Sequence, residues 1–202
     1  MQNGCPGLGE GIEAAQDLGF AETSGQIGIS ISERAYVLAT AYHETGNFRW
    51  LRELWGPTPA QTRYEGRADL GNTVAGDGRR FMGRGYVQIT GRRNYTDWGK
   101  RLGLDLLNRP DLAEEPDIAA QILVEGMRLG TFTGKSLADY TNSNGVVHYQ
   151  SARRIVNGTD RAELIAGYAR AYEAAIRAAE PVRAGWLAAL IQSLGNLFRS
   201  KR

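Results

Sequence analysis

The 202-residue chain has one cysteine and two histidines, and that scarcity removes several chemistries at once. Cys5 has no partner within the chain, so no internal disulfide framework can hold the fold together, and the usage fits folding in a reducing compartment. His43-Glu44 lacks the second histidine of a helical zinc motif, so no metal is expected. The glycines around Gly83 complete neither a dinucleotide fingerprint nor a phosphate-binding loop, and no cofactor is expected either.

Long apolar runs are scarce too. Met1 to Gly11 has no basic start and precedes no apolar stretch, so no secretory signal is expected. The longest apolar segment, near the C-terminus, is interrupted by polar residues short of the roughly 20 positions that a membrane span needs. Neither an internal repeat nor a low-complexity linker is visible. Excess charge of one sign is small, +2 for the whole chain. Residues 180–202 carry four Lys or Arg and one Glu, which makes this tail +3 and leaves the body near −1. A body so close to neutral argues against a nucleic-acid partner.

What remains is a chain with 42% hydrophobic and 23% charged residues, enough to bury one substantial core. Ser30 followed by Glu33 reads as a capping box, and Val37, Leu38, Ala41 and Glu44 continue at helical spacing. Pro116-Asp117 opens a second helix through Ile118, Ile122, Leu123 and Met127. Leu164, Ile165, Tyr168, Tyr172 and Ile176 form the apolar stripe of a third, and Asn142 to Gly145 reads as a loop between helical parts.

Glu44 is the residue on which chemistry centres. The first helix should stop near Gly46, which puts Glu44 on its apolar face and at its C-terminus, where burial and the macrodipole both favour a protonated carboxyl. That is the requirement for a general acid. The plainer alternative is a helix-end carboxylate paired with an arginine. Glu53, past the Gly46 break, is a second carboxylate able to face Glu44 across a cleft, and Glu65 is another. Arg52, Arg63 and Arg67 crowd both, and spacing alone does not choose between them.

The segment from Phe81 to Tyr95 is expected to supply a substrate wall. In a strand, Tyr86, Gln88 and Thr90 would point one way and Val87 and Ile89 would pack the other. Gln88, Thr90 and Asn94 offer the neutral donors and acceptors that sugar hydroxyl and acetamido groups require.

These residues carry a resemblance. Ala41-Tyr42-His43-Glu44-Thr45-Gly46, Tyr64-Glu65-Gly66-Arg67, Leu70-Gly71-Asn72-Thr73, Gly76-Asp77-Gly78, Phe81 to Tyr95 and Arg153-Arg154-Ile155-Val156-Asn157-Gly158 occur in an order that resembles glycoside hydrolase family 19, the chitinase and lysozyme-like family. The likeness is to its phage and prophage endolysin branch and covers about Ala35 to Tyr172. It implies a mainly α (α+β), lysozyme-like helical domain with a small β-hairpin beside a substrate cleft. It also implies an inverting mechanism with Glu44 as general acid and Glu53 as the better match for the base, Glu65 being the alternative. Inverting sites set the two carboxyl groups roughly 6.5–9.5 Å apart to admit a water. Tyr86, Gln88, Thr90, Asn94 and Asn157 are the implied substrate-binding residues. Gly46 is followed by Asn47 where the family often has a second glycine, and the step from Glu53 to Tyr64 is short, which implies a more open cleft.

The resulting expectation is a catalytic domain over residues 1–180 acting as a monomer on peptidoglycan, with chitin oligosaccharide as the alternative substrate and a catalytically inactive envelope-binding protein as the alternative class. Without a secretory signal such a protein would sit in the host cytoplasm and reach the wall with a holin-like partner. Residues 181–202 form an amphipathic basic segment in which Trp186, Leu187, Leu190, Ile191, Leu194, Leu197 and Phe198 recur at helical spacing. It would either dock on the core or contact anionic lipid or lipopolysaccharide. Deleting residues 182–202 separates these: retained folding and wall hydrolysis with lost liposome binding is the outcome for a lipid role, and loss of folding is the outcome for a docked helix.

Overall fold

The computed structural model describes residues 28–179; the amphipathic 181–202 segment, Cys5 and the leading residues lie outside the described residues. Among the described residues the chain is helical, with α1 Ile31–Glu44, α2 Pro59–Thr62, α3 Asp77–Arg80, α4 Arg92–Leu102, α5 Pro116–Leu129 and α6 Tyr149–Ala152, then α7 over 162–179. None of these is long and apolar enough to cross a membrane.

Helix α1 starts where the capping box puts it. The Ser30 hydroxyl accepts the Glu33 amide at 3.1 Å, and the Glu33 carboxylate accepts the Ser30 amide at 2.8 Å. The helix is then buried almost all round, from Ala35 through Tyr42, so it runs through the core rather than lying on it. Helices α5 and α7 flank it, contributing Leu123, Val124 and Met127 from one and Ile165, Ala169 and Tyr172 from the other. Leu164, expected in the buried stripe of α7, is instead 40% exposed. Its neighbour Ile165 takes the core position, and two adjacent helical residues point about 100° apart. The Asn142–Gly145 segment is the expected loop, closed by the Asn142 side chain accepting the amides of Asn144 and Val146 at 3.0 Å.

A second, smaller cluster gathers Phe81, Ile89, Tyr95, Trp98, Leu106, Ala113 and Ile122. Val87 and Phe132 pack against both clusters and so mark the seam between them. Phe132 reaches the seam because Gly126, in the last turn of α5, has no side chain: a methyl group there would overlap the ring. A helical glycine costs about 1 kcal/mol relative to alanine, and here it admits an aromatic side chain against the helix backbone.

The β structure is smaller than the sequence pattern suggests. Isolated bridges join Arg52 to Arg84 and Arg84 to Ile89, and the amides of Gly85 and Glu53 donate to the carbonyls of Leu51 and Gly83 at 2.8 and 2.9 Å. No continuous strand runs over 86–90. Gly85 and Gln88 have φ of 76° and 52°, turning the chain between the reciprocal Arg84 and Ile89 hydrogen bonds. This tip abolishes the expected alternation.

A buried arginine pins the tip. Arg84, 6% exposed, donates to Glu114 at 2.7 Å and, through Nη1, to the Arg80 carbonyl and the Tyr95 hydroxyl at 2.9 Å. Gly126→Ala should lower stability by about 1–3 kcal/mol despite alanine's better helix propensity. The check is a urea unfolding midpoint, and a raised midpoint would mean that Phe132 moves aside without cost.

Candidate active site

Helix α1 delivers Glu44 as its last residue. Thr45 ends the helix, its hydroxyl donating to the Ala41 carbonyl at 2.7 Å and accepting the Phe48 amide at 2.9 Å. The Glu44 side chain is 25% exposed, and its Oε1 accepts from Arg153 Nη1 at 2.5 Å; the arginine is 2% exposed. The apolar burial expected for Glu44 is thus replaced by a half-sheltered ion pair. The arginines expected around it go elsewhere, Arg52 to Glu114 and Arg67 to Asp69. Oε1 carries the ion pair, and Oε2 has no hydrogen bond among the described residues.

Arg153 stands in the Arg153-to-Gly158 motif, where only Asn157 stood out from the sequence. Its Nε donates to the Asp160 carbonyl at 3.0 Å, and its own carbonyl accepts the Asn157 amide at 2.9 Å. Asn157 is exposed beside it. A buried guanidinium needs its partners in place, so this loop and the end of α1 are held together.

Glu53 is reached through a compact turn. The Thr45 carbonyl accepts the amides of Arg49 and Trp50 at 3.1 and 3.0 Å, after which Leu51 and Glu53 pair with the 83–85 backbone. The Glu53 carboxylate accepts from Gln61 Nε2 at 3.1 Å, the Tyr64 hydroxyl at 3.4 Å and the Gly83 amide at 3.0 Å. Gln61 and Tyr64, which fix its orientation, were not singled out by the sequence, although Tyr64 opens one of the quoted motifs. Glu65 is employed differently. Its two oxygens accept the amides of Gly76 and Gly78 at 2.6 and 2.9 Å, closing the start of α3.

The wall residues divide. Gln88 donates to the Gly85 carbonyl at 2.9 Å and the Trp50 carbonyl at 3.4 Å. A Cβ on Gly83 would stand 2.8 Å from Gln88 Oε1 and 3.3 Å from Glu53 Oε2, so the amide and the carboxylate sit side by side over a bare backbone. The Thr90 hydroxyl donates to the Gln88 carbonyl at 2.9 Å, and Asn94 Nδ2 donates to the Thr90 carbonyl at 2.7 Å. Gln88, Thr90 and Asn94 line one groove of about 810 Å³ together with Val87, Trp98 and Phe132, at the seam of the two cores. Tyr86 does not join them. It is 0% exposed, packed edge-on against Phe48 with ring centroids 6.1 Å apart, because the turn at the tip sends its side chain into the core.

The family model for glycoside hydrolase family 19, chitinase class I, matches residues 11–124. The chain belongs to glycoside hydrolase family 19. Endochitinase 4 of Solanum tuberosum is 34% identical over 122 residues, 54% of this chain and 38% of its own length. Endochitinase B of Nicotiana tabacum is 32% identical over 136 residues, 58% of this chain and 40% of its own. The chain therefore spans about two fifths of the length of these plant relatives. A bacterial family 19 chitinase of known structure shares the fold with TM-score 0.51 at 22% identity, covering 81% of this chain and 83% of that one. Chitinase C from Streptomyces griseus HUT6037 does so with TM-score 0.50 at 21% identity, covering 71% and 59%. The fold is the expected lysozyme-like helical one, with its hairpin reduced to isolated bridges.

His43, beside Glu44 in this family 19 domain, has its pKa lowered from 6.5, chiefly by burial, against a smaller opposing pull from Glu44. The folded chain therefore binds this proton less readily than the unfolded one, and stability rises with pH from the lowered value up to 6.5. His43→Gln should flatten that dependence. Thermal unfolding between about pH 5 and 7 measures it; a slope as steep as that of the unsubstituted protein would assign the acid sensitivity to other groups.

Proposed function

We propose that this chain is a muralytic glycosidase of the endolysin type, hydrolysing β-1,4 bonds between N-acetyl sugars of peptidoglycan by an inverting two-carboxylate mechanism. The observation that carries the reading is that Glu53 and Gln88 are neighbours over Gly83, Gln88 lining the groove that runs on to Thr90 and Asn94 and Glu53 a second depression with Trp50, Trp55 and Met82. A carboxylate beside a row of neutral hydrogen-bonding groups suits a water-activating base next to a bound N-acetyl sugar.

In this mechanism the protonated form of Glu44 donates through Oε2 to the bridging oxygen, while Arg153 stays hydrogen-bonded to Oε1 and takes up the ion pair again once the proton has left. Glu53 takes a proton from a water, and the water's oxygen attacks the anomeric carbon from the opposite face as the bridging C–O bond breaks. The sugar leaves with its anomeric configuration inverted. Glu65 is the weaker candidate for the base, because its carboxylate serves the backbone amides that start α3, whereas Glu53 stands beside the groove-lining Gln88. The short step from Glu53 to Tyr64 supports an open cleft able to take a substituted glycan. In a lysis setting the protein would meet the wall from the host cytoplasm through a holin-like partner.

Chitin is the second reading, favoured by the names of the plant relatives, which are endochitinases. The test is turbidity loss of permeabilised Gram-negative cells, with product analysis on peptidoglycan and chitin oligomers. Glu44→Gln and Glu53→Gln should each lower turnover by roughly 10²–10⁴-fold, while Glu65→Gln should lower the melting temperature more than turnover. If the unsubstituted protein clears cells no faster than Glu44→Gln, the muralytic reading fails, and cleavage of chitin oligomers then separates a chitinase from an envelope-binding protein. If Glu65→Gln alone is inactive, the base is Glu65.

A further inference from the structure

The groove does not end at Asn94. It continues along α4 past Asp97 and Trp98 to Lys100 and Arg101, with Thr131 opposite. Asn94, Asp97, Trp98 and Arg101 recur at helical spacing and so share one face of α4. Seven residues of helix separate Asn94 from Arg101, about 10 Å along the axis, so the cationic end lies roughly one disaccharide beyond the wall that the proposed mechanism uses.

The two cations there are not spent on structure. Among the described residues neither Lys100 nor Arg101 is in an ion pair, and with Asp97 the end of the groove carries a net positive charge. The Arg101 guanidinium carbon stands 5.7 Å from the centroid of the Trp98 ring, and Trp98 is itself only 4% exposed. Stacking on a buried ring pre-places the guanidinium, so less freedom is lost when it meets an anion. A concave, partly apolar wall also strengthens the field of unneutralised charges along it.

An unbranched N-acetylglucosamine polymer is neutral and has nothing to offer these side chains. A glycan substituted with short peptides presents free carboxylates beside its sugars. We infer that Lys100 and Arg101 form a subsite for a carboxylate of the peptide branch, which makes this end of the groove the determinant of preference for peptide-bearing over bare glycan. The inference rests on the muralytic reading above and assigns the part of the groove that the two-carboxylate mechanism leaves unused.

The experiment compares kcat/KM on soluble peptide-bearing glycan strands prepared from the same sacculi with their peptide carboxylates free or converted to neutral methylamides. The proteins are the full chain, the double variant Lys100→Gln with Arg101→Gln, and Arg101→Glu, each checked for an unchanged unfolding temperature; both substituted residues are exposed. The unsubstituted protein should prefer the strands whose peptide carboxylates are free. That preference should fall about tenfold in the double variant, through KM rather than kcat, and further in Arg101→Glu. About 0.5 M salt should weaken it in the unsubstituted protein as well. A folded double variant that keeps the original preference overturns the subsite and leaves the muralytic reading standing. Cleavage of chitin oligomers with no cleavage of either strand overturns the muralytic reading and the subsite with it.

Discussion

The guanidinium of Arg153 is the constraint around which the active-site region is built. Taking an isolated charge of that size out of water costs several kcal/mol, and the cost is tolerated only where a counter-charge and hydrogen-bond acceptors meet it. Glu44 and the Asp160 carbonyl do so. The last turn of α1 and the loop leading into α7 therefore cannot separate without exposing an unpaired charge to the core. Arg84 repeats the device on the other side, where Glu114, Tyr95 and the Arg80 carbonyl anchor the 84–89 tip. Glu44 and Glu53 thus each stand next to a backbone segment fixed by a buried arginine.

Between those anchors the groove forms because the described residues pack as two apolar clusters rather than one. Each cluster packs around its own helices, and where they meet Val87 and Phe132 bridge them. The surface dips along that seam, and polar residues from the tip and from α4 line the dip. One set of packing decisions supplies both the depth of the groove and its position at Gln88, the neighbour of Glu53 over Gly83.

Local signals in the sequence were legible where chemistry is local. The Ser30 and Glu33 box, the proline at the start of α5, the Asn142 turn and the end of α1 at Glu44 all depend on residues within four positions of one another. Alternation over residues 86–90 misled because a turn of similar length gives the same pattern of apolar and polar residues. Only the left-handed φ of Gln88 distinguishes them, and a side chain rarely announces that conformation. Tyr86 went to the wrong side for the same reason. The Glu44–Arg153 pair spans 109 positions, and a carboxylate surrounded in sequence by nearer arginines gives no sign of which one will reach it. Glu65 illustrates the opposite limit: its carboxylate completes a helix start with backbone amides, a partner type that side-chain motifs do not display.

Gln61 gives the site one further property. Its amide nitrogen reaches both Glu53 and the Leu54 carbonyl, while its oxygen accepts the amides of Gly56 and Thr58. One planar group therefore fixes the path of the loop after Glu53 and the direction of the Glu53 carboxylate together. Lengthening that loop would rotate the amide plane and turn the carboxylate with it. Loop length and the direction of the Glu53 carboxylate are therefore one mechanical property, set by a single side-chain amide.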